Sequence, residues 1–207
     1  TLAAGVMNVG QGHEIALMRM AADRLGLAAE NISFTNGDTD ATQNGRGIGA
    51  SSGISVAGAA MHLALERLIE QGRRVTADRF YVTPDDIVFA GGVFTVAGGN
   101  ESLTLAEVAA TQPVGKWVFE ATFAPTDGVF PNGVHCCEVE IDPETGDMKI
   151  LRYAAAEDVV RVHNADLVAA QIQGGVAMGL AQVRGEGLHF DADDQVQTGS
   201  LMDYYLL

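Results

Sequence analysis

Residues 134–156 read VHCCEVEIDPETGDMKILRYAAA, two apolar-rich runs around Asp142-Pro143-Glu144-Thr145-Gly146. Pro and Gly fix the geometry of such a turn, so the runs Val134–Ile141 and Met148–Ala156 pair as an antiparallel hairpin. Val139 and Ile141 alternate with Glu138 and Glu140, which puts one face of the first strand in water. A second hairpin is expected where Ile87–Ala90 and Val93–Val96 flank Gly91-Gly92. A chain with two such hairpins is not built from regular strand-helix-strand crossovers.

Between and around the hairpins the periodicity is helical. Gly10-Gln11-Gly12 opens a stretch in which Ile15, Met18, Ala22 and Leu25 recur at helix spacing, and Gly26 stops it. Ile32–Thr35 reads as a short strand before the turn Asn36-Gly37-Asp38, and 43–53 as a glycine-rich loop. A helix from Val56 to Gln71 would bury Ala60, Leu63, Ala64 and Leu68, with Gly72 interrupting it and 75–80 continuing it. Thr104-Leu105-Ala106-Glu107 fits a capping box for a short helix, and Val118–Phe123 a strand. Asp166–Ala181 is the last helix. Gly174-Gly175 inside it cost about 1 kcal/mol each against Ala, so close packing or approach to a ligand is expected there. The fold class is α+β: two-layer helix-on-sheet packing with mixed and antiparallel strands, as two subdomains of about 1–115 and 116–207.

With 207 residues, 47% hydrophobic and 19% charged, the chain can bury a sizeable core. No apolar run approaches the ~20 residues of a membrane helix. The net charge of −15 excludes the clustered base of a nucleic-acid binder, and Lys116 and Lys149 are the only lysines. Any anionic ligand must therefore be held by backbone N–H groups and helix starts. Cys136 and Cys137 read as buried thiols in a strand, without the His or Cys spacing of a zinc site. A reducing, cytoplasmic compartment suits them. Thr1 is not an initiator Met and both ends look cut, so the chain is expected to be an internal piece of a longer one.

Places that suit a polar, anionic ligand follow from this. Gly45-Arg46-Gly47-Ile48-Gly49-Ala50 is not a dinucleotide fingerprint, because no apolar strand precedes it. Ala50-Ser51-Ser52-Gly53, however, runs into a helix start where free N–H groups meet the positive end of the dipole. The plainer alternative is an ordinary N-cap by Ser51, Ser52 or Ser55. Gly10, Gln11, Gly12 and His13 repeat the arrangement at another helix start, with His13 alone more in keeping with a structural histidine. Gln171 and Gln173 precede Gly174-Gly175. No nucleophile-base pair, carboxylate dyad or metal cluster follows from spacing.

Several segments resemble one family. Gly10-Gln11-Gly12-His13-Glu14, Gly37-Asp38-Thr39-Asp40, Gly45-x-Gly47 through Ser51 to Gly58, and Pro131-Asn132-Gly133-Val134-His135 stand in its order. The series closes with Glu138 to Gly146, Gln171-x-x-Gly174-Gly175-Val176-Ala177 and Thr198-Gly199-Ser200-Leu201-Met202-Asp203-Tyr204. Together they are similar to the molybdopterin-binding large subunit of the xanthine dehydrogenase and aldehyde oxidase family, in the branch that includes aerobic carbon monoxide dehydrogenase. The resemblance implies a molybdopterin cofactor with molybdenum, as the cytosine dinucleotide, touching Gly10, Gln11, Gly12, His13, Ala50, Ser51, Ser52, Gly53 and Gln171. It also implies oxidation of an aldehyde, a heteroaromatic compound or carbon monoxide, with iron–sulfur and FAD subunits or domains as partners and a homodimer of the assembled enzyme. The catalytic glutamate is expected beyond Leu207, so these 207 residues alone are expected to be inactive and to hold no cofactor. The chain departs from the family's pattern at Ser52 (commonly Arg), Met178 (Gln), Val160 (Gly) and His163-Asn164-Ala165 (Ile-Asn-Pro). The alternative is a paralogue that serves assembly without molybdenum.

Overall fold

A computed structural model describes residues 1–42, 45, 47–49, 51–128 and 130–206. Contacts divide the chain into two units, Thr1–His163 and Asn164–Leu207. In the first, strand β1 (Leu2–Ala4) leads through the loop 5–12 into helix α1 (His13–Leu25), and the chain returns as β2 (Phe34–Asn36). β1 and β2 pair in parallel, with Ala4 opposite Asn36. After a π-helical turn at Gly53–Ala57 comes the long α2 (Gly58–Phe80). The antiparallel sheet β3 (Ile87–Ala90), β4 (Val93–Val96) and β5 (Ser102–Thr104) and the short α3 (Leu105–Ala110) follow. A long hairpin, β6 (Asn132–Ile141) and β7 (Met148–Asp158), ends the unit's regular structure. The second unit holds α4 (Ala165–Arg184), an isolated bridge between Phe190 and Val196, and a turn capped by the Asp191 carboxylate. Helices with parallel and antiparallel strands make this the expected α+β fold.

The core lies between the two long helices and the three-stranded sheet, where Leu17, Leu25, Leu65, Ile69, Ile87 and Phe94 are buried together. Helix α1 is closed by Gly26 at φ +65°, and a side chain there would collide with the backbone of Gly91 in the β3–β4 turn. The buried face of α1 is Ala16, Leu17, Ala21, Ala22 and Leu25, while the expected Ile15 is 45% exposed. Likewise α2 buries Met61, Leu65, Ile69, Gly72, Thr76 and Ala77 in place of Ala60, Leu63, Ala64 and Leu68. Both stripes keep the helical period but are rotated, because the neighbours that choose a face are distant in sequence.

Gly72 does not interrupt α2. Its missing side chain makes room for the ring of Phe94, which is 0% exposed. Helix and sheet thus approach at a point where the cost of a helical glycine is offset by aromatic packing. Near it the hydroxyl of Thr76 is buried without a partner among the described residues. At the surface Arg24 makes a forked pair to Glu66, Nε to Oε1 at 2.6 Å and Nη2 to Oε2 at 2.9 Å, tying α1 to α2. The hydrogen bond from Arg24 holds the Glu66 carboxyl below the usual glutamate range.

Three expectations fail. Residues 118–123 form no strand; Arg67 of α2 instead donates to the carbonyl of Glu120. Cys136 and Cys137 are exposed, because no described residue covers either face of β6. The hairpin is therefore wet on both faces. On one of them His135 is held between the Tyr153 hydroxyl and the Glu157 carboxylate, with Gly133 leaving space for that carboxylate. Beyond Val108, Ala181 is the one buried hydrophobic among the described residues.

Val160 adopts φ +61°. A β-branched residue pays about 1–2 kcal/mol there, which glycine avoids. Val160→Gly is therefore expected to stabilise the intact protein by up to about 1 kcal/mol after glycine's entropy is set against it, seen as a raised thermal midpoint. Gly72→Ala is expected to destabilise the protein by about 1–3 kcal/mol through overpacking against Phe94. Glu66→Gln should cost at most about 1 kcal/mol, since the pair is solvent-screened. Because the folded carboxyl titrates lower than the unfolded one, that cost is complete above about pH 4.3 and fades as pH falls through the folded value. Denaturant titrations at pH 7 and pH 3 check the sign.

Candidate functional site

The loop 5–12 follows the carboxyl end of β1, beside β2, where ligands commonly sit in parallel sheets. Gly10 at φ +106° and Gly12 at φ +79° let the loop fold back on itself. Gln11 staples it: its Oε1 accepts from the Val9 N–H at 2.6 Å, and its Nε2 donates to the Met7 carbonyl at 2.9 Å. The same amide lies 3.1 Å from Nδ1 of His13. The Met7 carbonyl lies 3.3 Å from the same nitrogen, so either tautomer of His13 finds a partner there. Gln11 therefore fixes both the loop and the histidine.

His13 in turn lies against Gly53, where any side chain would overlap its ring. The glycine loop is also tied back to the end of β1. Gly47 N–H donates to the Gly5 carbonyl at 3.3 Å, and Gly45 lies close enough that a β-carbon would be 3.0 Å from Gly5. The structure thus brings the 10–13 and 51–53 segments together at one corner. Ala50 lies outside the described residues. Gln171 is on α4 in the second unit, 20 residues long in all.

The helix starts at this corner share one property. Gly12 offers α1 no side-chain cap, and Ser52 gives none to the turn at Gly53–Ala57. The serines face the other way: Ser52 Oγ donates to the Gly49 carbonyl at 2.6 Å and Ser55 Oγ to the Ser52 carbonyl at 3.3 Å. Capping by Ser52 or Ser55, the plainer alternative, is therefore not what these residues do. By contrast, Thr104 caps α3 in a complete capping box and Asn164 caps α4. First-turn N–H groups are left for an outside acceptor at the two glycine-bordered starts.

Two side chains that sequence reasoning passed over belong to the same end of the sheet. Asn8, in the loop after β1, buries its Oδ1 without a partner among the described residues, and Asn36, at the end of β2, buries its Nδ2 likewise. Neither stands in a recognisable motif. A cavity of about 840 Å³ runs along β1, bounded by Ala3, Gly5, Ala57, Met61, Leu65 and Trp117. None of the candidate residues lines it. No group of three or more His, Cys, Asp or Glu side chains able to hold a metal occurs among the described residues.

The whole chain, residues 1–207, matches the molybdopterin cofactor-binding domain family, and the protein belongs to it. It is 30% identical over 215 residues to the 6-hydroxypseudooxynicotine dehydrogenase complex subunit gamma of Paenarthrobacter nicotinovorans, covering 100% of this chain and 27% of that one. It is 31% identical over 210 residues to the carbon monoxide dehydrogenase large chain of Hydrogenophaga pseudoflava, covering 98% of this chain and 26% of the relative. Among solved structures, the crystal structure of the Cu,Mo-CO dehydrogenase superposes with a TM-score of 0.88 at 27% identity, over 99% of this chain and 27% of that one. The chain therefore spans about a quarter of the length of these relatives.

A pterin with its phosphate end fits what the corner presents: uncapped N–H groups and glycine backbone within reach. Gly53→Ala in the intact protein is expected to push the His13 ring aside and part the two loops. Pterin content should fall at least tenfold, with a small loss of thermal stability. Fluorescence of the oxidised pterin released from purified protein measures it, and full occupancy would show that the His13–Gly53 contact is dispensable.

Proposed function

We propose that this chain is the pterin-holding portion of the large subunit of a molybdenum hydroxylase, which when intact oxidises an aldehyde, a heteroaromatic compound or carbon monoxide. The observation that carries this reading is the meeting of two helix starts without side-chain caps at the His13–Gly53 contact. In a chain of net charge −15, fixed N–H dipoles are the means left for holding a pyrophosphate. The relatives' names agree, both being dehydrogenases and one a subunit of a complex.

Within this reading Gly10, Gly12 and Gly53 allow the ligand against the backbone. The first-turn N–H groups of α1 and of the turn at Gly53–Ala57 bind its anionic end. Gln11 holds the loop 7–13 in the shape that aims those groups, and Ser51 and Ser52 lead into the turn at Gly53–Ala57. When bound, the cofactor's molybdenum supplies two-electron redox chemistry that no side chain of this chain can. Preorganised dipoles in a site closed to water cost no reorganisation as charge shifts. The cytosine dinucleotide form, iron–sulfur and FAD partners, a homodimer and a cytoplasmic setting complete the proposal. The base that activates the reaction is supplied by another part of the polypeptide, so residues 1–207 in isolation turn over nothing and keep no cofactor.

One observation favours a second reading, a paralogue retained for assembly. The Ser52 side chain is spent on the Gly49 carbonyl, and it stands where the family pattern carries a cation. Metal and pterin analysis of the intact protein, co-expressed with its partners, decides. About one molybdenum per chain is expected, and Gln11→Ala should lower pterin content by an order of magnitude. Correct assembly with no molybdenum would overturn the enzymatic reading in favour of the second.

A further inference from the structure

The stretch that forms no strand and the helix face that escapes full burial border the same space, the cavity of about 840 Å³ along β1. Its floor is α2 with the turn before it, where Ala57, Ala60, Ala64 and Leu68 recur at helix spacing, each half-buried. Ala60, Ala64 and Leu68 are residues whose pattern calls for burial. The two walls are the runs 1–5 and 117–122, every residue of which lines the cavity. A strand that offers a face lines a space with alternate side chains, and one that offers its edge lines it with consecutive residues. Both walls therefore present edges.

Hydrogen-bonding groups are left open on each. Leu2 N–H donates to the Ser33 carbonyl at 2.7 Å, towards β2, so strand alternation turns the N–H and carbonyl of Ala3 to the opposite edge. Along 117–122 burial already alternates, with Trp117, Phe119 and Ala121 half-buried and Val118, Glu120 and Thr122 exposed, as on a strand with one face packed. No backbone–backbone hydrogen bond involves 117–122 among the described residues. Open edges are templates for a further strand. Protein interiors are close-packed, so a slot of this size in a finished domain is filled.

We propose that an extended segment of the same polypeptide, the one leading into Thr1, lies in this slot as a strand. It pairs with Ala3 on one side and with 117–122 on the other. The chain spans about a quarter of the length of its relatives, which leaves ample polypeptide for the purpose. An antiparallel neighbour of β1 is reached through a short turn, whereas a parallel one needs a crossover of about a dozen residues or more. Strands consecutive in sequence also commonly pair. Both rules favour the segment before Thr1 over a more distant one. The alanines of the floor call for large apolar side chains at every second position of the occupant. Filling the slot fixes β1, which leads into the loop 5–12, so the segment positions the candidate site without touching it. The inference is independent of what that corner binds.

The test uses the intact protein, assembled with its partners. Val118 is 65% exposed and lines the slot. With p-benzoylphenylalanine in its place, the protein is irradiated and the joined peptides are identified by mass spectrometry. A crosslink to the roughly ten residues before Thr1, a strand and its turn, is the expected product. Hydrogen exchange of the unaltered protein is read in parallel. The peptide 117–123 is expected to exchange at least about a hundredfold slower than an unstructured chain. Exchange at the unstructured rate overturns the proposal, because the slot is then open. A crosslink solely to another part of the polypeptide, or to a partner subunit, overturns it too, because the occupant is then a different one.

Discussion

The ring of Phe94 seated on the backbone of Gly72 is the contact from which the geometry of the first unit follows. It sets the β3–β4 hairpin against the second half of α2, and the Gly91-Gly92 turn of that hairpin then meets the end of α1 at Gly26. Helix α1 is thereby fixed at its carboxyl end by one glycine contact and at its amino end by another, His13 on Gly53. Close backbone approaches, available only to glycine, align the two helices whose starts form the candidate site. The core supplies the attraction, with Leu17, Leu65 and Ile69 sharing one cluster with Phe94.

Charge explains why the proposed site relies on dipoles. With 27 acidic residues against 12 basic ones, an anion approaches this protein against its mean field. Long-range attraction is absent, so local N–H groups must be numerous, oriented and free. The first turn of α1 and the turn at Gly53–Ala57 suit this need because Gly12 and inward-turned Ser52 stand where caps would be, whereas Thr104 and Asn164 close the starts of α3 and α4. Leaving polar groups open lowers stability, and sites that bind tightly commonly carry such a cost. Asn8 and Asn36 each leave one buried amide atom open, and Val160 adds backbone strain.

Much of this was legible in the chain itself. Turn chemistry announced both hairpins, Thr104 and Glu107 announced their capping box, and Gly26 the end of α1, because each is decided within a few residues. The glycine-bordered helix starts were legible too, since a positive φ and a missing β-carbon are properties of the residue type. Misreadings arose where the deciding partner is remote. The rotated buried face of α2 depends on Phe94 and Ile87, the continuity of the helix through Gly72 on the same ring, and the loss of the 118–123 strand on a missing neighbour to pair with. The exposure of Cys136 and Cys137 has the same origin: an apolar strand is buried only if something lies on it.

By itself, then, the sequence determined local geometry, the sign of the field and the kinds of hydrogen-bonding group on offer, all short-range properties of residue type and order. Only the tertiary structure decided which of those groups remain free. Whether Ser52 caps a helix or turns to Gly49, whether Gln11 reaches outward or staples its own loop, and whether the amides of Asn8 and Asn36 find partners depends on what the folded chain places within 3 Å of them. Hydrogen bonds are satisfied in space, and nearness along the chain does not foretell it.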